Sequence, residues 1–152
     1  MSEAIDKARA ARAASGVLAQ ASSRQRTGAI LSAADAVDAA RADILAANAA
    51  DMARGRESGL SRGLLDRLML DGARIDGIVV GMREVAGQAD PIGRVVGGST
   101  LESGIRLTRV TVPLGVVAMV YEARPNVTAD AICLTLRSGN ACVLRGGSAA
   151  HD

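Results

Sequence analysis

Apolar residues recur at helical spacing through the first 88 positions, and the period then changes. The Ala-rich segment from Glu3 to Ala21 carries Ile5, Val17 and Leu18 and reads as a first helix. Ser22 to Gln25 has the capping-box pattern, which predicts a second helix that turns Ile30, Leu31, Ala34 and Val37 inward. Ile44, Leu45 and Met52 continue the apolar positions, and Gly55 and Gly59 mark a break. Ser61 is placed to cap a short helix holding Leu64, Leu65, Leu68 and Met69, and Asp71 to cap another. In that last helix Ile75, Ile78, Val79, Met82 and Val85 share one face, despite the helix-weakening Gly77 and Gly81. Helices therefore occupy residues 3–88 almost throughout, and Pro91, within Asp90-Pro91-Ile92-Gly93, ends them.

From Gly93 the chain is extended. Gly97 and Gly98 adjoin, and Ile105, Leu107 and Arg109 alternate in strand fashion, so 93–112 reads as a hairpin region. An ordinary edge hairpin is the plain reading of this pattern. Val116 to Val120 is a continuous β-prone apolar run, as expected for a parallel strand covered on both faces, and Tyr121 closes it. Pro125 excludes a helix at Arg124 and sets a turn, after which Thr128 is placed to cap a helix with Asp130 in its first turn. That helix ends near Arg137, Gly139 and Asn140 tolerate the left-handed conformation, and Ala141 to Leu144 return as a short buried strand. Residues 113–148 thus form one βαβ crossover. Parallel strands joined by one helix point their carboxyl ends at the same sheet edge, where ligands bind in open α/β sheets. Glu122 to Val127 and Arg145 to Ser148 lie at that edge.

Composition removes several function classes. An apolar fraction of 49% with 22% charged residues is that of a globular protein, and 152 residues can bury a sizeable core. A formal charge of +2 gives no field that argues for nucleic acid or an anionic membrane, and Tyr121 is the only aromatic residue, which leaves no stacking platform for bases. All basic residues but Lys7 are Arg, a compositional bias that goes with the abundant Ala. The first twenty residues carry charges throughout, unlike a secretory leader, and no apolar run approaches membrane-spanning length, so a cytoplasmic location is the simple reading. Cys133 and Cys142 have neither zinc nor redox spacing, and each sits among apolar neighbours without an adjacent base; both read as buried, inert thiols. His151, the only histidine, has no identifiable partner, and no metal site is expected.

The edge segments hold the candidate chemistry. An amide at Asn126 can aim its donors at the ligand edge or satisfy turn backbone. Arg124 can bind a carboxylate or phosphate, or pair with Glu122 to brace the loop. Arg145 is a strand-end guanidinium, Gly146 and Gly147 permit close backbone approach, and Ser148 adds a hydroxyl.

YEARPNVTADA followed by GNACVLRGGS resembles the γ-glutamyl phosphate reductase family, also called glutamate-5-semialdehyde dehydrogenase, within the aldehyde dehydrogenase superfamily. The strongest match is an unbroken run from Val112 to Ser148. The resemblance implies an α/β fold: a helical amino-terminal region, a hairpin, and the first βαβ unit of an aldehyde-dehydrogenase-type cofactor-binding domain. It implies that Asn126 is the oxyanion-hole asparagine, a donor fixed where charge develops on a carbonyl oxygen. Arg145 matches the position of a lysine that contacts the adenosine ribose, and a guanidinium there suits the 2′-phosphate of NADP. The superfamily does not use a GxGxxG fingerprint, and none occurs here.

The implied reaction is reductive dephosphorylation: a thiolate attacks γ-glutamyl phosphate, phosphate leaves, and hydride from NADPH reduces the thioester to glutamate 5-semialdehyde, in proline biosynthesis. The family's hairpin pairs with another subunit, which implies a homo-oligomer, and functional coupling to glutamate 5-kinase is a further implied partnership. The family's nucleophilic Cys lies beyond the position of Asp152. The chain is therefore expected to be the amino-terminal part of the NADP-binding domain, without the catalytic domain and inactive alone. Another aldehyde dehydrogenase subfamily and a non-enzymatic assembly module are the competing readings.

Overall fold

The computed structural model describes residues 3–122 and 124–147. Among these, α1 (Glu3–Gln20), α2 (Ser23–Ala39), α3 (Arg41–Glu57), α4 (Arg62–Leu68) and α5 (Gly72–Gly87) come first. Strands β1 (Val95–Thr100) and β2 (Arg106–Val110) follow, then β3 (Val116–Val120), α6 (Pro125–Arg137) and β4 (Ala141–Arg145). The caps of α2, α4 and α5 are those expected. Ser22 Oγ accepts from the Gln25 amide at 3.3 Å while Gln25 Oε1 accepts from the Ser22 amide at 2.8 Å. Asp71 accepts from the Arg74 amide at 2.8 Å, and Ser61 caps α4. The break between α2 and α3 at Ala40 has no side-chain cap. It is held by Arg41, which donates to Asp38 and Asp76, both at 2.6 Å, and to the Gly72 carbonyl at 3.1 Å. The Asp76 and Gly72 contacts are long-range, so local sequence gives no sign of them.

The core lies where α2, α5 and α6 meet, built from Ile30, Ala34, Ile75, Val79, Met82, Ala86 and Cys133. Full burial of Ile30 and Ile75 contributes about 1.5–3 kcal/mol each. Ile78 and Val85 pack on its flank as predicted, whereas Leu31 remains exposed. A satellite cluster of Met52 and Leu68 is pinned by buried Asn48, whose amide donates to the Leu68 carbonyl at 2.8 Å and accepts from the Leu70 amide at 2.7 Å.

The hairpin pairs β1 and β2 antiparallel, with an irregularity between Val95 and Gly97. Gly98 is required there, since a Cβ would come 2.7 Å from the Leu107 carbonyl oxygen. Every residue of both strands is exposed. A two-stranded ribbon without a covered face is marginal in water by itself.

Strands β3 and β4 pair in parallel, from Val116 opposite Ala141 to Val120 opposite Arg145, which is the crossover expected. Their entry is fixed by Asn140 Oδ1, which accepts from the Gly115 amide at 2.8 Å. Gly139 sits at φ +71, so its conformation demands glycine, and a Cβ there would also crowd the tip of Ile92.

Three further expectations fail. β3 is not covered on both faces: α1 and α6 pack mainly on β4, and Val120 is 82% exposed. Cys142 is half-buried rather than buried. Thr128 does not cap α6, which starts at Pro125 with Arg124 in extended conformation as N-cap. Proline at the first helical position is already set to helical φ and has no N–H to satisfy, so it begins the helix rather than delaying it. Among the described residues no helix is long and apolar enough to cross a membrane, and no cluster of metal-ligating side chains occurs.

Candidate functional site

The early start of α6 moves Asn126 from a turn into the helix's first turn, where it is exposed. Its Nδ2 donates to Asp130 Oδ2 at 3.5 Å, one turn further along, a contact at the limit of a hydrogen bond. Asn126, Arg124 and Asp130 line a cleft of about 470 Å³ whose other wall is α4 and α5, with Asp66, Arg67, Leu70, Arg74, Gly77 and Ile78. That size falls within the range of small-molecule sites, about 300–1,000 Å³.

The ionic groups of this cleft are unequally committed. Arg74 donates to the Asp66 carboxylate at 2.9 Å, to the Met69 carbonyl at 2.8 Å and to the Asp66 carbonyl. Arg67 donates to Glu122 at 3.3 Å across two exposed side chains, a geometry of little energetic weight. The Glu122 carboxylate thus contacts Arg67 of α4 and not Arg124 in this structure. The Arg124 guanidinium makes no hydrogen bond or ion pair among the described residues.

Tyr121, which the sequence marks only as a strand end, holds the edge together. Its backbone N–H extends the ladder to the Arg145 carbonyl at 3.1 Å, and its hydroxyl lies 2.6 Å from Thr128 Oγ1 in the first turn of α6. A Cβ on Gly146 would stand 3.7 Å from the ring, an ordinary contact, so this glycine is not forced by the protein itself. One residue, through its backbone and its hydroxyl, thus ties the ends of β3 and β4 to the helix that carries Asn126. Its being the sole aromatic residue, at a strand's carboxyl end, is the signal that sequence reasoning passed over.

Arg145 is exposed beyond β4 and donates to the neighbouring Gly146 carbonyl. It and the half-buried Gly146 and Gly147 share the sheet edge with Asn126 but do not line its cleft. Ser148 lies outside the described residues, as does His151. Cys133 is fully buried on α6, and burial, with the charge of Asp130 adding to it, pushes its thiol above the ordinary value. It is therefore a core side chain. Cys142 lies in β4, on a different groove between α1 and α6.

No family model matches the chain. Its structure is similar to that of γ-glutamyl phosphate reductase from Thermotoga maritima, with a TM-score of 0.93 and 42% identity over 98% of this chain and 36% of that one. It is equally similar to γ-glutamyl phosphate reductase from Saccharomyces cerevisiae, with a TM-score of 0.93 and 35% identity over 99% of this chain and 38% of that one. The chain spans little more than a third of the length of these structures. Over that span it is γ-glutamyl-phosphate-reductase-like in both fold and sequence.

Proposed function

We propose that this chain contributes the oxyanion donor and the cofactor edge of an NADPH-dependent reductase that converts γ-glutamyl phosphate to glutamate 5-semialdehyde and phosphate. The observation that supports this reading best is Asn126 on the first turn of α6, in a cleft beside the sheet edge of a chain so similar to known reductases. In this role its Nδ2 leaves the 3.5 Å contact with Asp130 and donates to the acyl oxygen as negative charge develops there. Tyr121 and Thr128 hold the first turn of α6 in register with the strand ends. Neither cysteine suits the attacking thiolate, because Cys133 is buried with a raised pKa and Cys142 faces another groove, so the nucleophile belongs outside this span.

The donor set at the end of β4 fits NADPH. Arg145 offers an exposed guanidinium that donates to a neighbouring carbonyl and lies within electrostatic reach of Glu3, suited to a 2′-phosphate, with Gly146 and Gly147 next to it. When bound, NADPH supplies the hydride that reduces the acyl carbon. In an active reductase carrying this span, Arg145→Ala is expected to weaken NADPH by roughly 1.5–3 kcal/mol and NADH far less. Fluorescence titration with both cofactors reads this, and an equal loss for both would put the 2′-phosphate elsewhere.

We assign the exposed hairpin to contact with a second copy of the chain. Leu107, Ile105 and Val110 are exposed apolar residues on a ribbon that has no cover of its own. Leu107→Glu is therefore expected to shift the assembly toward smaller species in light scattering, with the circular dichroism spectrum retained. An unchanged oligomer would remove the hairpin from the interface.

A further inference from the structure

We propose that the cleft beside Asn126 receives the zwitterionic α-amino-acid head of the acyl substrate, with Arg124 taking the α-carboxylate and Asp130 the α-ammonium. This assignment rests on the reductase reading and adds to it the residues that select the head group. Three arginines line the cleft, of which Arg74 is consumed by Asp66 and the Met69 carbonyl, and Arg67 makes an exposed 3.3 Å contact with Glu122. What remains is one uncommitted guanidinium, Arg124, and one carboxylate, Asp130, whose only hydrogen bond among the described residues is the long one from Asn126. A phosphate dianion placed here would gain Arg124 but face Asp130, a like charge. A dipolar head group is satisfied at both ends.

Arg124 precedes α6 as its extended N-cap and Asp130 lies further along the helix, and both line the same cleft, so a head group held by the two sits beside Asn126 in the first turn. The floor at Gly77 and Ile78 is apolar and open, as the methylenes of a glutamyl chain require. An ammonium that takes over Asp130 also frees the Asn126 amide, so occupancy of the head-group subsite would release the donor that the reaction uses.

The test is a titration of the isotope-labelled full chain, following amide chemical shifts, with L-glutamate, glutarate and 4-aminobutyrate. The last two lack the α-ammonium and the α-carboxylate respectively. L-glutamate is expected to shift Arg124, Asn126, Asp130 and Gly77, and each analogue to bind about tenfold or more weakly, as loss of a charge-assisted contact dictates. Asp130→Asn should abolish the preference for L-glutamate over glutarate, and Arg124→Gln its preference over 4-aminobutyrate. Gly77→Leu, in which a helix-favouring residue grows into open space, should remove L-glutamate binding while the helices persist. Equal binding of glutarate and L-glutamate, shifts centred on Arg145 to Gly147, or no shifts at millimolar ligand would each overturn the assignment. Reductase turnover is read separately in an active protein carrying this span. Its loss on Asn126 substitution together with failed head-group discrimination would remove only the subsite, whereas discrimination without any reductase role would remove the reading beneath it.

Discussion

Asn126→Ala, placed in an active reductase carrying this span, is expected to lower turnover on the order of a hundredfold or more, about 3 kcal/mol of transition-state stabilisation. Affinity for acyl phosphate and NADPH should change little, because a ground-state carbonyl carries little of the charge that the amide meets later. The fold should not suffer. Asn126 is exposed, its only side-chain bond among the described residues is the 3.5 Å contact with Asp130, and the helix is started by Pro125 rather than by an asparagine cap. Steady-state NADPH consumption with γ-glutamyl phosphate generated in place, set beside a thermal melt, separates the two effects. Turnover within a few fold of the parent would leave Asn126 as an ordinary first-turn residue.

The features legible in the sequence are those that act locally. Capping residues such as Ser22, Ser61 and Asp71 form bonds within three positions of themselves, and the face of α5 follows from spacing alone. The βαβ order and the shared edge of Glu122 to Val127 with Arg145 onward were legible for the same reason. What stayed hidden depends on distant partners. The corner at Ala40 is held by Arg41 reaching Asp76 and Gly72, and Glu122 is claimed by Arg67 on α4 rather than by its neighbour Arg124. The opposite wall of the Asn126 cleft comes from α4 and α5, more than forty residues earlier in the chain, where nothing in Arg67, Arg74 or Gly77 announces a site. The start of α6 was misplaced for another reason, since proline was weighed as a helix breaker when its position made it a helix starter.

Asp90→Asn is expected to destabilise the protein by up to about 3 kcal/mol at neutral pH, the upper scale of a charge-assisted hydrogen bond lost from a buried arginine to a part-exposed carboxylate. Asp90 opens the turn between the helices and the hairpin, and its carboxylate meets Arg26 at 2.5 Å and the Ile92 amide at 3.0 Å. Arg26 is 3% exposed, and buried Arg137 at the end of α6 donates to Thr27 at 2.8 Å and to the Gln88 carbonyl. The Nε atoms of both arginines are buried without hydrogen-bond partners among the described residues, so the two guanidinium groups depend on the nearby negative charge. Burial acts to raise the Asp90 pKa, but the Ile92 amide, the Ser23 hydroxyl and the charges of Arg26 and Arg137 outweigh it and hold the carboxyl below its ordinary value. A depressed folded pKa means that the ionised form stabilises the fold fully above the unfolded value of about 3.9, and that this contribution fades as pH falls through the lower folded value. Asn cannot ionise, so its deficit should be largest near pH 7 and should shrink in acid as the parent's own carboxyl is protonated. For a chain of this length 3 kcal/mol corresponds to a fall in Tm of roughly 6–12 °C. Thermal unfolding of parent and variant from pH 7 down to pH 3 measures both terms, and a deficit that stays constant across that range would show that the charge of Asp90 does not hold the α2, α6 and hairpin junction together.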